Sequence, residues 1–262
     1  MKKIFLLLGI IIILIGLFLE FNKKTNIEQV VAVNVQPAVN TSPVKIIPIT
    51  HATAILNWKD TIIYIDPIGG AEAYLGMPEP DFILVTDIHG DHLSTTTLTA
   101  VIGSTTTLIA PKAVKDLLPP QLAARVEVLN NDEGITIDGF EITALPMYNL
   151  PVLQDSIHVR GRGNGYLLTK EGFDVYIAGD TAGIPEMREL TGIDIAFIPM
   201  NLPFTMGVEE AADAVLDFEP KRVYPYHYRG QDGLTNINKF KQLVDAGNKN
   251  IEVILLDWYS QK

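Results

Sequence analysis

The chain of 262 residues contains no cysteine. Disulfides, thiolate metal ligands and thiol nucleophiles are therefore excluded, and any metal must be held by nitrogen and oxygen. The absence permits an oxidising compartment without requiring one. Positive charge is also scarce: 20 Lys and Arg stand against 31 Asp and Glu, for a net charge of -11. Phosphate backbones are gathered by basic faces, so a nucleic-acid partner is set aside. No short repeat of fixed period is present, which excludes solenoids and propellers. Histidine is rare, with five in the chain, at positions 51, 89, 92, 158 and 227.

Long hydrophobic runs are confined to the N-terminus. Lys2 and Lys3 precede an uninterrupted apolar stretch from Ile4 to Leu19, followed by Lys23 and Lys24. The pattern is that of a signal anchor or signal peptide over residues 1–24. A helix of about sixteen residues spans roughly 24 Å, a little short of a hydrocarbon core of about 30 Å, and flanking lysines that snorkel extend it. No small-x-small cleavage signal follows, so an uncleaved anchor is favoured, with the domain outside the cytoplasm. Cleavage would instead make the protein secreted or periplasmic. Residues 25–43 lack helical periodicity and read as a tether. The remainder, 44–262, is long enough for one domain with a sizeable core, 47% of the whole chain being hydrophobic.

Within that domain the segment VTDIHGDHLS, Val85 to Ser94, carries the most chemistry. It holds Asp87, His89, Asp91 and His92 directly after the apolar run FILV, with Gly90 permitting a tight turn. Imidazole and carboxylate are ligands that divalent metals take. Capping the helix expected from about Thr95 needs one polar side chain and not four. Strands are expected at Lys45 to Ile49, Thr53 to Leu56, Thr61 to Ile65, Phe82 to Val85, Thr106 to Ala110 and Val126 to Leu129, and on both sides of the turn Asp138-Gly139. Further strands are expected at Tyr166 to Thr169, Asp174 to Ala178, Ile193 to Pro199, Val223 to Tyr228 and Ile251 to Trp258. Helices are expected at Ala113 to Leu118, from Pro185, at Val208 to Phe218 and at Asn236 to Ala246. GRGNG, Gly161 to Gly165, lacks the spacing and the following helix of a phosphate-cradling loop and reads as a flexible entry to the strand at Tyr166. Pattern alone says α/β or α+β.

VTDIHGDHLS resembles the HxHxDH signature of the metallo-β-lactamase superfamily, with Asp87 where the first histidine normally stands. YIAGDT around Asp180 and YPYHY around His227 are similar to the segments of the metal-bridging aspartate and the last metal histidine. ITHATAIL, IYIDP, HVRGRGNGYLL and MNLPFTM are similar to the branch that contains L-ascorbate-6-phosphate lactonase and N-acylethanolamine phospholipase D. The resemblance runs from about Lys45 to Trp258. It implies an αββα four-layer sandwich, with the apolar helix as an N-terminal addition.

It also implies a dinuclear site. His89 belongs to the first metal, Asp91, His92 and His227 to the second, and Asp180 bridges both. Asp87 either supplies a carboxylate in place of imidazole or supports a ligand from behind. His158 is expected as the replacement ligand of the first metal or as a catalytic oxyanion donor, and Asp91 as a participant in proton transfer. The ions are two divalent metals, zinc first, with manganese or iron as alternatives for an oxygen-rich site. His51, Tyr148, Asn149, Arg160, Tyr228 and Arg229 are expected to contact substrate. The implied function is hydrolysis of a lactone or other ester by metal-bound hydroxide. Its rivals are a phosphodiesterase resembling N-acylethanolamine phospholipase D, a dimetal redox protein and a metal-free binding module. The partners are a small-molecule substrate, anionic or lipid in character, and a membrane through the N-terminal helix; a homo-oligomer is left open.

Overall fold

The computed structural model describes residues 42–259, and the folded unit begins at Pro43. The apolar stretch of residues 1–24 and the tether of 25–43, apart from its last two residues, lie outside the described residues. β1 (Val44–Thr50), β2 (Thr53–Trp58), β3 (Thr61–Ile65), β4 (Phe82–Leu84), β5 (Thr107–Ala110) and β6 (Val126–Val128) form a six-stranded sheet in that order. They are followed by β7 (Gly134–Ile137), β8 (Phe140–Met147), β9 (Gly163–Lys170), β10 (Phe173–Ile177), β11 (Ile195–Pro199) and β12 (Arg222–Tyr226). A small hairpin of β13 (Arg229–Gly230) and β14 (Gly233–Leu234) and the short β15 (Glu252–Val253) complete the strands. The second sheet has seven strands in the order β15-β12-β11-β10-β9-β8-β7.

Alternation along the strands makes four layers. In β3 and β4 the side chains of Ile63, Ile65, Phe82 and Leu84 enter the core between the sheets, whereas Ile62, Tyr64, Ile83 and the following Val85 face the other way. A strand that is apolar on both faces must be covered twice. Between the sheets, Trp58 and Phe82 meet Phe140 of β8 edge-on, at ring separations of 5.1 and 5.6 Å. On the outer side of the first sheet, Leu98 of α1 (Thr95–Val101), Val114 of α2 (Lys112–Lys115) and Leu122 of α3 (Pro120–Ala123) complete a second cluster. The second sheet is flanked by α4 (Pro185–Arg188), α5 (Val208–Phe218) and α6 (Ile237–Gly247). Phe218 of α5 packs on Tyr176 of β10 at 6.2 Å. The described residues are thus a mixed α/β sandwich of two sheets with helices outside. None of the described helices is long and apolar enough to cross a membrane.

Four local expectations are corrected. Ala113 to Leu118 is helical only over Lys112–Lys115, because Pro119 and Pro120 start a separate turn, α3. Ile251 to Trp258 pairs only through β15, and Trp258 instead packs its ring against Phe197 and Tyr226. The expected strand Val223 to Tyr228 ends at Tyr226, since His227 turns into the left-handed region at φ 45°. GRGNG is not a flexible entry: Gly163, Asn164 and Gly165 are part of β9. Gly163 is required there because a Cβ would lie 2.8 Å from the Thr86 carbonyl oxygen. Asn164 N–H donates to that same carbonyl at 2.9 Å, bridging the two sheets beside Asp87.

The topology gathers one edge of the sandwich into a site. β3, β4 and β5 run parallel, as do β10, β11 and β12, so each trio ends on one edge. Asp66 follows β3, Asp87 to His92 follow β4, Asp180 follows β10, Asn201 follows β11 and His227 follows β12. Strand C-termini of parallel sheets are where loops converge on ligands.

Candidate metal centre

The loop after β4 is tight because His92 N–H and Leu93 N–H both donate to the His89 carbonyl, at 3.0 and 2.8 Å. The turn places His89 and His92 toward different carboxylates. His92 is fully buried; its Nδ1 faces Asp66 Oδ2 at 2.8 Å, and its Nε2 faces Asp180 Oδ2 at 3.3 Å. Asp66 is itself fixed by Thr86, which donates its N–H to Oδ1 at 2.7 Å and its hydroxyl to Oδ2 at 2.6 Å. His227 Nε2 lies 3.4 Å from Asp180 Oδ2 and 3.3 Å from Asp91 Oδ2. His158 Nε2 lies 3.3 Å from Asp180 Oδ2 and 3.7 Å from Asp87 Oδ2, while His89 Nδ1 meets Asp87 Oδ2 at 2.5 Å. One oxygen of Asp180 therefore faces three imidazoles.

Three residues of this edge have φ near 45°: His51, Asp66 and His227. A non-glycine residue there costs about 1–2 kcal/mol, and each is held by tertiary bonds. Asp66 N–H donates to Leu84 O at 2.9 Å and His227 N–H to His51 O at 3.1 Å. Gly179, at φ +66°, carries the turn into Asp180 and donates its N–H to the Tyr226 hydroxyl at 2.9 Å.

At the centre of this arrangement Asp180 Oδ1 is buried without a hydrogen-bond partner, and the Asp87 oxygens and His92 Nε2 are buried with ion-pair contacts alone, Asp87 to His89 and Arg162 and His92 to Asp180. Buried polar groups are ordinarily paired, and unpaired ones that converge on one point signal an ion. The ligating atoms fall into three sets that could each hold a metal: Asp87, His89 and His158; His92, Asp180 and His227; and His51, Asp91 and His227. Nitrogen and oxygen donors in carboxylate-rich sets suit zinc, manganese or iron. The residues fit a divalent cation on this ground alone.

The electrostatics agree. Burial pushes the Asp180 carboxyl up, but the charges of His227 and His92 outweigh it and hold it well below the usual carboxylate range. Conversely, burial lowers His92 while Asp180 and Asp66 raise it further, to a net value well above the ordinary imidazole; His227 is pushed up to about 9 by Asp180 against its own burial. In the protein without metal these imidazoles are protonated near neutrality, so a dication must displace protons. Metal uptake is expected to release protons, and affinity to fall by about tenfold per pH unit for each proton displaced as pH drops below these values. Calorimetric titration in buffers of different ionisation enthalpy checks this; uptake without proton release would contradict it.

The sequence profile of the Beta-lactamase superfamily domain matches residues 45–227. A UPF0173 metal-dependent hydrolase of Thermococcus kodakarensis is 34% identical over 81% of this chain and 96% of its own length. The chain belongs to this family of metallo-β-lactamase-superfamily hydrolases. A crystal structure of a candidate metal-dependent hydrolase from Parabacteroides distasonis is 39% identical, covering 81% of this chain and 92% of that one with a TM-score of 0.71. A metallo hydrolase of Ignicoccus hospitalis, 23% identical, shares the fold at a TM-score of 0.68 over 82% of this chain and 95% of that one.

The structure brings Asp87, His89, Asp91, His92, His158, Asp180 and His227 close to one another. The proposed substrate contacts are placed differently. A cleft of about 190 Å³ is lined by His89, Asp91, Ile157, His158, Asp180, Asn201 and Phe204. Asn149 is not among these residues. Its Oδ1 accepts His158 N–H at 2.8 Å and its Nδ2 donates to Phe204 O at 2.8 Å, so both amide ends are committed to holding His158. Tyr148 donates its hydroxyl to Glu186 at 2.9 Å and Arg160 reaches the same carboxylate at 2.6 Å, which turns both away from the cleft. The Tyr228 hydroxyl serves the C-terminal segment, donating to Leu256 O at 3.3 Å, and Arg229 lies over the Tyr259 ring at 4.7 Å. His51 sits against His227 edge-on at 5.6 Å, where it joins Asp91 and His227 rather than the lining.

Asp66, Asn201 and Phe204 have functions here that the sequence analysis left unassigned, although the motifs IYIDP and MNLPFTM contain them. Asp66 orients His92 through Nδ1, the arrangement by which carboxylates fix metal-binding imidazoles. Asp66→Asn is expected to weaken metal affinity by about 10–100-fold while the fold persists; a competitive chelator titration beside a circular-dichroism melt separates the two effects. Unchanged affinity would show that Thr86, 3.1 Å from the same nitrogen, suffices.

Proposed function

We propose that this chain hydrolyses a lactone or another carboxylic ester, with two divalent cations held at the end of the cleft. The reading is carried by Asp180, whose single oxygen faces His92, His158 and His227 at 3.3, 3.3 and 3.4 Å on the cleft wall. Asp87, His89 and His158 would hold one ion, Asp91, His92 and His227 the other, with Asp180 shared between them. Zinc suits the donor set best, and manganese or iron next. Divalent ions bound there supply Lewis acidity and a water acidic enough to act near neutral pH.

The chain's own residues do the positioning. The Phe204 carbonyl accepts His158 Nδ1–H at 3.1 Å. A carbonyl can only accept, so Nδ1 carries a proton and Nε2 is the nitrogen turned to the centre. That geometry supports His158 as a ligand rather than an oxyanion donor. Burial raises Asp91, but the hydrogen bond from His227 and the charge of His92 hold its carboxyl far below the ordinary value. A carboxylate so weakly basic is suited to holding a cation and poorly suited to shuttling a proton. Ile157 and Phe204 add apolar surface to the cleft lining.

Purified protein loaded with zinc should hydrolyse aryl esters and lactones, and exhaustive chelation should abolish this until zinc is restored. Activity that survives in metal-free protein would sink the reading. The finer likeness to the lactonase and phospholipase D branch rests on the quoted motifs, and of its two activities the absence of Lys and Arg from the cleft lining favours ester over phosphodiester. Attachment to a membrane is proposed from Ile4 to Leu19. The mature chain should then retain Met1 and partition with membranes; a soluble form beginning within residues 25–43 would instead show a removed signal peptide.

A further inference from the structure

We infer that the substrate is uncharged and carries an alkyl or acyl chain, which seats in an apolar collar formed by two loops at the cleft. The inference rests on the ester-hydrolase reading and names its substrate class. The first loop spans residues 148–162 between β8 and β9, and the second spans 200–207 between β11 and α5. Of the eight large apolar side chains exposed among the described residues, Leu150, Val152, Leu153 and Ile157 lie on the first loop and Leu202 on the second. Exposed apolar residues scattered singly need no explanation, whereas a cluster beside a cleft marks a binding surface.

The two loops are tied to each other and to the centre through one atom. The Phe204 carbonyl accepts both His158 Nδ1–H, at 3.1 Å, and Asn149 Nδ2–H, at 2.8 Å. The apolar side chains therefore stand on loops joined at His158. Ile157, on the first loop, and Phe204, on the second, line the cleft alongside His89, Asp91 and Asp180. A chain extending from a carbonyl at the centre would run outward over these side chains.

Charge complementarity decides what that chain can carry. Among the described residues, no lysine or arginine lines the cleft. Arg160 is occupied by Glu186 at 2.6 Å; Arg162 donates to the Ile157 carbonyl at 2.5 Å and faces Asp87 Oδ1 at 3.5 Å; Arg229 stacks on Tyr259. Beyond the two cations, which would meet the reacting ester itself, a site that recognises phosphate or carboxylate elsewhere on a substrate presents guanidinium or ammonium groups. A neutral chain gains from burial alone.

The test uses straight-chain methyl ketones of increasing length, which are uncharged and cannot be hydrolysed. They are titrated into the zinc-loaded full chain, kept soluble in a fluorinated surfactant that mixes poorly with hydrocarbon. Affinity should rise about threefold to fourfold for each added methylene until the collar is filled. Leu153→Ser combined with Leu202→Ser should flatten that slope with zinc content unchanged. Affinity independent of chain length, or a slope indifferent to the double substitution, would overturn the inference. So would faster turnover of an alkyl phosphodiester than of the carboxylic ester with the same chain. Collar side chains that phosphatidylcholine vesicles protect and ketones leave unaffected would instead make this face a membrane contact and also overturn it. Binding is read without turnover, so failure of the hydrolase reading, seen as no metal-dependent ester cleavage, is distinguishable from failure of the collar.

Discussion

Asp180→Ala is expected to lower ester hydrolysis by at least about a thousandfold and to remove at least one metal from each chain. Its Oδ2 is the atom that His92, His158 and His227 all face, and the three imidazoles come from three separate loops. Removing it leaves positive charge gathered from both halves of the centre with no shared counter-charge. Asp180→Asn keeps the volume and one acceptor oxygen but loses the charge, so it should fall between the parent and alanine in metal content. Elemental analysis beside turnover reads both effects. A variant that keeps its metals and loses only rate would assign Asp180 to proton transfer.

The second large effect concerns His158, which stands on the loop between β8 and β9. If His158 Nε2 is a ligand, His158→Ala should lose the ion shared with Asp87 and His89, taking metal content from about two per chain to about one, with turnover lower by about a hundredfold or more. An oxyanion donor would behave otherwise, with rate falling and both ions retained. Asn149→Ala separates position from ligation. Asn149 holds the His158 backbone N–H at 2.8 Å and the Phe204 carbonyl at 2.8 Å but reaches no ligating atom of the centre. It should keep both ions and raise KM more than it lowers kcat, because the collar loops lose a tie. Wild-type activity and metal content in His158→Ala would remove this histidine from the site and leave Asp87 and His89 to hold the first ion alone.

The His and Asp side chains that the structure gathers stood out in the sequence because metal chemistry restricts residue types. In a chain with no cysteine and five histidines, imidazoles falling after apolar runs have few other uses. The helix Val208–Phe218 was legible to the residue because its apolar face repeats with helical spacing, burying Ala211, Ala212, Val215 and Phe218. What escaped were features set by distant partners. GRGNG has the composition of a loop, yet Gly163 lies in β9, where the Thr86 carbonyl and Met147 of β8 leave no room for a Cβ. Tyr148, Asn149 and Arg160 stand beside the ligands in sequence and point elsewhere in space, since Glu186 and Phe204 claim their polar atoms. Asp66 gave no local sign of its function: its neighbours Ile65 and Pro67 say nothing of a histidine 26 residues away.

The claim on which everything rests is that these seven side chains form one shared centre for two cations. Elemental analysis of purified chain, loaded with zinc and passed through a desalting column, tests it most directly. The account predicts close to two zinc ions per chain, about one in His158→Ala, and one or none in Asp180→Ala. An active enzyme that holds no metal, or zinc content unchanged by both substitutions, would contradict it.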